Sequence, residues 1–567
     1  MIVRASLCTL IALTALACTQ QRPPAEVADD VILDAAIVTM DPAQPQASAL
    51  AIRDGKITFV GDNESAQKWV GEKTRVVRAA GATVLPGLID SHIHAMSGAL
   101  SLDSCTFADA QLALAEVAAI IRECVARTPG EGWVVVQDLN AAGFQADRKA
   151  LDAVVPTRPL VLWAADGHVG WANSAALSRA GITRNTADPA DGRIERDRKG
   201  EPTGFLVDEA MGLVSKHLEK PGPEQREQLL TRALHDIAAA GITTFMEANA
   251  DADTVATYVA LASKKQLAQR VTFALESAGE STDQEFARLK GLRELAQSQP
   301  QLRADMIKLF ADGIIEYPTQ TAALLEPYLD ASGRPTKNLG PLYQQPEALA
   351  QFVTRAAAEG FGVHIHAIGD RAARVALDAF ARARQQGSQR SYSIAHLELV
   401  DRADFPRFRE LGVIASLQLQ WAEPDNYTVE AALPYIGPER QARLYPARSF
   451  IAAGATIAGG SDWNVSTFNP FEAMATAVAR TNPKEPQRGV LGADQALKLS
   501  EMFAAYTINA ARMLGRDAEI GSLQAGKAAD VVVLDRALND SSSAEQIRGA
   551  RVRILFANGT VLVGSVD

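Results

Sequence analysis

The sequence predicts an α/β protein built mainly of a (β/α)8 TIM barrel, with β-rich ends and one long insertion. Between residues 85 and 515, short apolar runs of strand length alternate with helical stretches such as 224–240 and 370–386. The runs are residues 83–94, 242–247, 270–275, 306–311, 362–366, 392–396, 413–417 and 456–460. Eight strands separated by helices is the number that closes such a barrel.

The first 18 residues predict a signal peptide. Residues 1–4 carry positive charge, and residues 5–17 are apolar but shorter than a membrane-spanning helix. Residues 13–18, LTALAC, resemble the lipobox of bacterial lipoproteins, with Ala15 where leucine is preferred. Cys18 would then carry a lipid anchor at the periplasmic side of a bacterial membrane, and residues 19–30 would be a linker. The alternative is simple cleavage near Ala17 and release as a soluble periplasmic protein.

The two ends of the mature chain predict one discontinuous β-sandwich domain, formed by residues 31–84 and 516–567. In the first part, β-branched runs alternate with turns, and Asp54-Gly55 is a strong hairpin signal. The second part has the same character, with Asn558-Gly559 as its hairpin turn.

An inserted α/β subdomain is predicted at residues 101–223, after the first strand of the barrel at residues 85–515. The gap is far too long for a loop and contains its own apolar runs, at residues 133–136 and 160–163. An insertion after a barrel strand rises over the catalytic face, so we expect it to shape substrate access.

Charge and cysteine content limit the possible partners. The net charge is −11 and no long basic run is present, which argues against nucleic acid as a partner. Two of the four cysteines lie in the signal region, which leaves Cys105 and Cys124 in the body of an exported protein. Neither has a metal-like Cys-x-x-Cys spacing, so the sequence favours a structural disulfide between them over two free buried thiols.

Polar residues at the ends of the predicted strands indicate a metal site. They are His92, His94, Lys308, His364, His366, His396 and Asp462, which include five of the eight histidines. His92 and His94 are two residues apart and therefore point to the same side of a strand, which makes half of a metal site. A lysine inside the apolar run 306–310 is costly unless it is deprotonated, paired or otherwise used.

Around these residues the sequence resembles the amidohydrolase superfamily, and within it the YtcJ-like metal-dependent hydrolases that include N-substituted formamide deformylase. The resemblance covers nearly the whole chain after the signal. It rests on the segments PGLIDSHIH (86–94), KLFADG (308–313), HIHAIGDRA (364–372), AHLE (395–398) and GSDW (460–463), and on GHVGWANS (167–174) in the insertion.

The resemblance implies one or two divalent metal ions, with zinc as the expected ion. The implied ligands are His92, His94, Lys308, His366, His396 and Asp462. In many relatives the lysine is carboxylated and bridges two ions; the alternative for Lys308 is an unmodified lysine beside one ion. Because the superfamily motif centres on the histidine before Ala-Ile-Gly-Asp, we assign His366 to the metal and His364 to a deeper layer of the barrel.

The implied activity is hydrolysis of a non-peptide C–N bond, of the N-substituted amide or formamide type, in a small molecule. Asp462 would take a proton from water and pass it to the leaving amine. His168 would hydrogen-bond the substrate; its alternative is a loop histidine that caps a turn. Two other functions stay open: hydrolysis of a cyclic amide, ester, lactone or N-acyl amino acid, and a lipid-anchored binding protein without turnover.

Overall fold

The computed structural model describes residues 27–142 and 144–565. The predicted signal peptide, the lipobox cysteine Cys18 and residues 19–26 of the predicted linker lie outside the described residues. Within the described ranges, every helix is too short or too polar to cross a membrane.

A sheet of eight parallel strands stands at the centre of the chain and forms the predicted TIM barrel. Barrel strands 1 to 8 are Leu88–Ile93, Ile242–Ala250, Arg270–Glu276, Leu302–Phe310, Gly362–Ala367, Tyr392–His396, Val413–Leu417 and Ile457–Gly459. Each strand pairs in parallel with the next one along the chain. Because helices and loops cover the sheet, its strands are largely apolar and buried, and their carboxyl ends all lie on one side.

Barrel strands 8 and 1 meet through side-chain and backbone hydrogen bonds that we call the seam. Ser461 N donates to Asp90 Oδ1 over 3.0 Å, and Asp462 N donates to the His92 carbonyl over 2.8 Å. The two segments are so close that a Cβ on Gly460 would lie 2.8 Å from the Cβ of His92, so that only glycine fits there. Burial raises the pKa of Asp90 to about 7, although the amides of Ser461 and His92 oppose the shift.

Helices pack on the outer side of the barrel. Helix Asp370–Gln385 places Ala373, Leu377 and Phe380 on one buried stripe, and helix Pro346–Ala358 begins at proline, where a missing N–H has no cost. Further helices of the barrel region are Ala95–Ser101, Pro223–Ala239, Ala252–Ser263, Asp283–Gln297, Phe405–Leu411, Leu433–Gln441, Ala447–Ala452, Pro470–Ala479, Leu499–Ala504 and Ala510–Met513.

The segment between barrel strands 1 and 2 forms a mixed six-stranded sheet of its own. Its strands are Cys105–Thr106, Val134–Leu139, Leu160–Ala164, Val169–Ala172, Gly192–Arg196 and Pro202–Asp208, and its helices are Leu114–Arg127, Arg148–Asp152, Ser174–Arg179 and Gly212–Ser215. Alternate residues of the strands enter two apolar clusters, one containing Trp171 and the other Trp163. A disulfide joins Cys105 to Cys124, as the sequence favours.

The two ends of the described chain together form two small sheets. One contains Asp30–Leu33, Ala49–Arg53, Lys56–Gly61 and Arg75–Arg78; the other contains Ala36–Val38, Gln46–Ala47, Thr83–Pro86, Val531–Leu534, Val552–Ala557 and Thr560–Val563. Residues of both sheets, among them Ile32, Val84 and Val533, share one buried cluster. Because Val531–Leu534 pairs with Thr83–Pro86, the second sheet needs both ends of the chain. Short helices Asn63–Ala66 and Ala544–Arg548 accompany these strands.

A buried ion pair connects the barrel to the second of these sheets. The Arg270 guanidinium, on barrel strand 3, donates to the Asp530 carboxylate, and both residues are buried. Asp530 also accepts a hydrogen bond from Asn558 N over 2.8 Å. The pair therefore holds the hairpin turn of the C-terminal strands against the base of the barrel.

Replacing Arg270 with methionine is expected to lower the free energy of unfolding by about 3 to 5 kcal/mol, because Asp530 would remain buried without its partner. Urea unfolding followed by circular dichroism measures this loss. The double variant Arg270→Met/Asp530→Leu is expected to regain most of the stability, because no unpaired charge remains. A single variant as stable as the parent protein would contradict this account of the pair.

Candidate metal centre

Asp462 is the centre of the candidate site. Its Oδ1 lies 3.1 Å from His92 Nε2 and 3.0 Å from His94 Nε2. His92 belongs to barrel strand 1, His94 follows that strand, and Asp462 follows strand 8, so the seam brings the three together. Their ligand atoms lie within 4.8 Å of one another, which is compact enough to hold one metal ion.

Several buried polar atoms around Asp462 test whether a metal fits. His92 Nε2, His396 Nδ1 and Asp462 Oδ1 are buried and have no hydrogen-bond partner among the described residues, although His92 and Asp462 are close. Leaving such atoms unpaired is costly in a protein interior. Imidazole nitrogens and carboxylate oxygens together are a donor set that zinc and similar divalent ions accept. The residues present therefore fit a metal ion.

The charges in this group shift the pKa of Asp462. Burial by itself would raise it, but the neighbouring His92 and His94 imidazoles outweigh burial and hold the pKa well below its usual range. The carboxylate is therefore ionised, which is the form that a metal requires.

His366, His396 and Lys308 lie on the side of Asp462 that faces barrel strands 4 to 6. The rings of His366 and His396 are 4.4 Å apart, and His396 Nδ1 is 3.9 Å from Asp462 Oδ2. His366 Nε2 lies 3.1 Å from the Gly313 carbonyl and is thus the donor nitrogen, which leaves Nδ1 available to an ion.

Lys308 is buried on barrel strand 4, with its Nζ 4.6 Å from the centre of the Phe310 ring. Burial lowers the pKa of Lys308 to about 8, and the Asp462 charge opposes this shift. A neutral amine is the form that reacts with carbon dioxide to give a carbamate, so this environment is compatible with carboxylation.

His364 lies below His92, away from Asp462. His364 Nε2 is 2.7 Å from His92 Nδ1, and His364 Nδ1 is 2.7 Å from Ser393 Oγ. With both nitrogens engaged, His364 orients the His92 ring so that Nε2 faces the site.

The insertion places His168 over the site. Its ring centre is 5.5 Å from that of His366, and its Nδ1 lies 2.7 Å from Asp208 Oδ1. Burial lowers the pKa of His168, but the hydrogen bond and charge of Asp208, together with Asp166 and Asp312, outweigh burial and raise it overall. The His168 side chain is thus paired with Asp208 and lies beside His366.

Two buried carboxylates near the site, those of Asp312 and Asp370, accept hydrogen bonds from backbone amides. Asp312 accepts hydrogen bonds from the amides of Ala323, Ile368 and Gly369, and burial raises its pKa to about 7. Asp370 accepts from Leu325 N over 2.7 Å. Each carboxylate therefore holds the loop after strand 4 against the end of strand 5.

The sequence reasoning missed four residues near the site: Asp90, Asp208, Glu247 and Ser393. Glu247 accepts hydrogen bonds from Met96 N and Tyr258 Oη, and burial raises its pKa to about 7. The available signal was an acidic residue at the end of an apolar run, as at the end of the predicted run 242–247 and of strand Pro202–Asp208.

Three tryptophans of the barrel loops and the insertion differ in environment. Trp171 is buried between Phe144 and Phe205 and belongs to the core of the insertion. Trp421 is half-buried and stacks parallel to His396, with ring centres 5.8 Å apart. Trp463 is half-buried and contacts Phe468. Trp421 and Trp463 thus supply apolar surface beside the site.

A parallel eight-stranded barrel whose strand ends carry these imidazoles and a central carboxylate defines the class of metal-dependent hydrolases. Comparison of sequences specifies the family: the chain matches the amidohydrolase family over residues 75–563 and belongs to it. It is accordingly a hydrolase of the amidohydrolase superfamily.

Individual relatives align over most of their length. The chain is 30% identical to N-substituted formamide deformylase of Arthrobacter pascens over 563 residues, which cover 94% of this chain and 98% of the relative. It is 30% identical to protein LONG AFTER FAR-RED 3 of Arabidopsis thaliana over 539 residues, covering 90% and 88%. An uncharacterized metal-dependent hydrolase from Pyrococcus horikoshii OT3 shares the fold, with a TM-score of 0.68, 23% identity and coverage of 90% and 98%.

Replacing His364 with alanine is expected to weaken metal binding about 10- to 100-fold, because the His92 ring loses the partner that orients it. Competition with a chromogenic chelator measures the affinity. His235→Gln is the matched control, since His235 is exposed and in a helix away from the strand ends. Equal affinities of the His364 and His235 variants would show that His364 does not orient the ligand.

Proposed function

We propose that this protein is a metal-dependent hydrolase of N-substituted amides or formamides. The observation that carries the proposal is the convergence of buried imidazole nitrogens on one carboxylate: His92 Nε2 and His94 Nε2 lie 3.1 and 3.0 Å from Asp462 Oδ1, and His396 Nδ1 lies 3.9 Å from its Oδ2. The substrate class is supported by the 30% identity to N-substituted formamide deformylase over nearly the full length of both chains.

Two groups of residues would hold the metal. His92, His94 and Asp462 form the compact group. His366, His396 and Lys308 form a neighbouring group, in which His396 Nδ1 lies 3.9 Å from Asp462 Oδ2 and the Asp462 charge acts on Lys308. This donor set would suit one zinc ion, or two divalent ions if Lys308 is carboxylated. When bound, such an ion supplies Lewis acidity, which acidifies water and polarises a carbonyl group.

The chain's own groups account for proton transfer and substrate orientation. Asp462, ionised and central, would accept a proton from the attacking water at a carboxylate oxygen and return it to the leaving nitrogen. His168 would hydrogen-bond the amide group from the insertion. Trp421 and Trp463 would pack against the apolar part of the substrate and exclude water from that side.

As purified, the protein is expected to contain stoichiometric divalent metal and to hydrolyse a member of a panel of N-substituted formamides and amides. Asp462→Asn is expected to lower kcat about 100- to 10,000-fold, because the proton acceptor is lost. Asp517→Asn serves as control, because Asp517 is exposed and is not one of the site residues. Metal content by mass spectrometry accompanies each assay, since Asp462 is also a proposed ligand.

The other functions that the sequence leaves open give distinct results in the same experiment. Turnover confined to cyclic amides, esters, lactones or N-acyl amino acids would replace the proposed substrate class. Bound metal without any turnover would favour a binding protein. Protein without metal, or undiminished activity in Asp462→Asn, would contradict the proposed mechanism.

We also propose that the chain is exported and anchored by lipid at Cys18. The Cys105–Cys124 disulfide supports export, because disulfides persist in oxidising compartments. The lipobox-like residues 13–18 support lipidation at that cysteine.

In a bacterial host, the full-length protein is expected to incorporate labelled palmitate and to sediment with membranes. Cys18→Ser is expected to lose the label and move to the soluble periplasmic fraction, because it lacks the acylated thiol. Cys8→Ser, which removes the other cysteine of the signal region, is expected to behave like the parent. A parent protein found unlabelled in the periplasmic fraction would favour simple signal cleavage.

A further inference from the structure

Asp208 has a strained backbone at the end of the insertion strand Pro202–Asp208. Its φ is 50° and its ψ is −126°, a region that residues other than glycine rarely adopt. Such a conformation persists only where neighbouring contacts enforce it, and it is concentrated at functional sites. The strained residue here is an aspartate, so the contacts of its backbone and carboxylate indicate the role of this conformation.

Both ends of Asp208 contact His168. The Asp208 N–H donates to the His168 carbonyl over 2.7 Å, and Asp208 Oδ1 lies 2.7 Å from His168 Nδ1. The strands Val169–Ala172 and Pro202–Asp208 are antiparallel partners in register, with Val169 opposite Val207, which brings the two residues together. His168 N also donates to Asp166 Oδ1 over 2.8 Å, so the backbone of the histidine is held as well.

These contacts determine which nitrogen of His168 faces the metal centre. An ionised carboxylate only accepts hydrogen bonds, so the proton of the shared bond belongs to His168 Nδ1. Nε2 is then the nitrogen left for a further partner. The ring containing it lies 5.5 Å, centre to centre, from His366, which the proposed function assigns to the metal.

A cavity reaches this pair from the outside. It has a volume of about 410 Å³ and lies between the insertion and the loop that follows barrel strand 4; Asp208 and Tyr343 line it. Gly313 lies beside Tyr343: a Cβ there would lie 2.6 Å from Tyr343 Oη, and the Gly313 carbonyl accepts a hydrogen bond from His366 Nε2. Asp208 therefore lines this cavity and also contacts His168, whose ring lies beside that of His366.

We propose that Asp208 is a positioning residue that holds His168 with its proton on Nδ1 and presents Nε2 to the amide group of the substrate. This inference rests on the proposed hydrolase function for its catalytic part, whereas the Asp208–His168 pairing stands on the geometry alone. The insertion would thus complete the active site in addition to covering it. Asp208 acts through His168 and itself touches no reacting atom.

The pairing is tested by nuclear magnetic resonance of protein labelled with ¹⁵N-histidine, as purified and without substrate. The His168 signals are identified by their loss in His168→Asn. In the parent, neutral His168 is expected to carry its proton on Nδ1; in Asp208→Asn, the Nε2-protonated form is expected to appear. A parent His168 protonated on Nε2, or an unchanged tautomer in Asp208→Asn, would overturn the proposal.

The catalytic consequence is tested with any amide that the parent hydrolyses. Asp208→Asn is expected to lower kcat about 10- to 100-fold with unchanged metal content, and His168→Asn/Asp208→Asn to be no slower than His168→Asn. Glu195→Gln, an exposed carboxylate on the same insertion sheet, should leave kcat unchanged. Additive losses in the double variant would refute action through His168. If no amide is hydrolysed while the Nδ1 tautomer is found, the proposed function fails and the pairing holds.

Discussion

The seam between barrel strands 1 and 8 is the contact on which the rest of the structure depends. Closing the barrel and building the candidate metal centre use the same residues: the Asp462 amide binds the His92 carbonyl, while the Asp462 carboxylate faces the imidazoles of His92 and His94. A barrel must bring its first and last strands together in any case. Here that requirement places the Asp462 carboxylate beside the imidazoles of His92 and His94, so the contacts that close the barrel also assemble the candidate site.

Four residues at or above the candidate site have a strained backbone. Asp462, His396 and Leu397 all have positive φ, between 51° and 74°, and Asp208 above them is strained as well. Such conformations cost about 1 to 3 kcal/mol each and need surrounding structure that enforces them. That support comes from buried carboxylates, among them Asp90 at the seam and Asp312 beneath the loop after strand 4, which gather backbone amides around the site. A large apolar core and the Cys105–Cys124 disulfide offset the cost elsewhere.

The insertion brings a histidine to the candidate site as well as covering it. Its sheet carries His168 to within ring distance of His366, and the loops of the barrel meet it through hydrogen bonds such as Tyr427 Oη to Asp109 Oδ1 at 2.6 Å. A barrel alone presents side chains from below, on its strand ends. A group that contacts the opposite side of a substrate has to come from an element that folds over the barrel.

The sequence by itself determined the barrel, the insertion and the convergence of the strand-end residues, because hydrophobic periodicity and the parallel topology place His92, His366 and Asp462 on one rim. Only the tertiary structure decided which atoms face one another. Asp90 contacts Ser461, 371 residues away in the chain, and Asp208 contacts His168, 40 residues away. His364 contacts His92, 272 residues away. The local sequence pattern shows residue types and their periodicity, but it does not show which distant residues they contact. These contacts determine the roles of Asp90, Asp208 and His364, so the sequence could not reveal them.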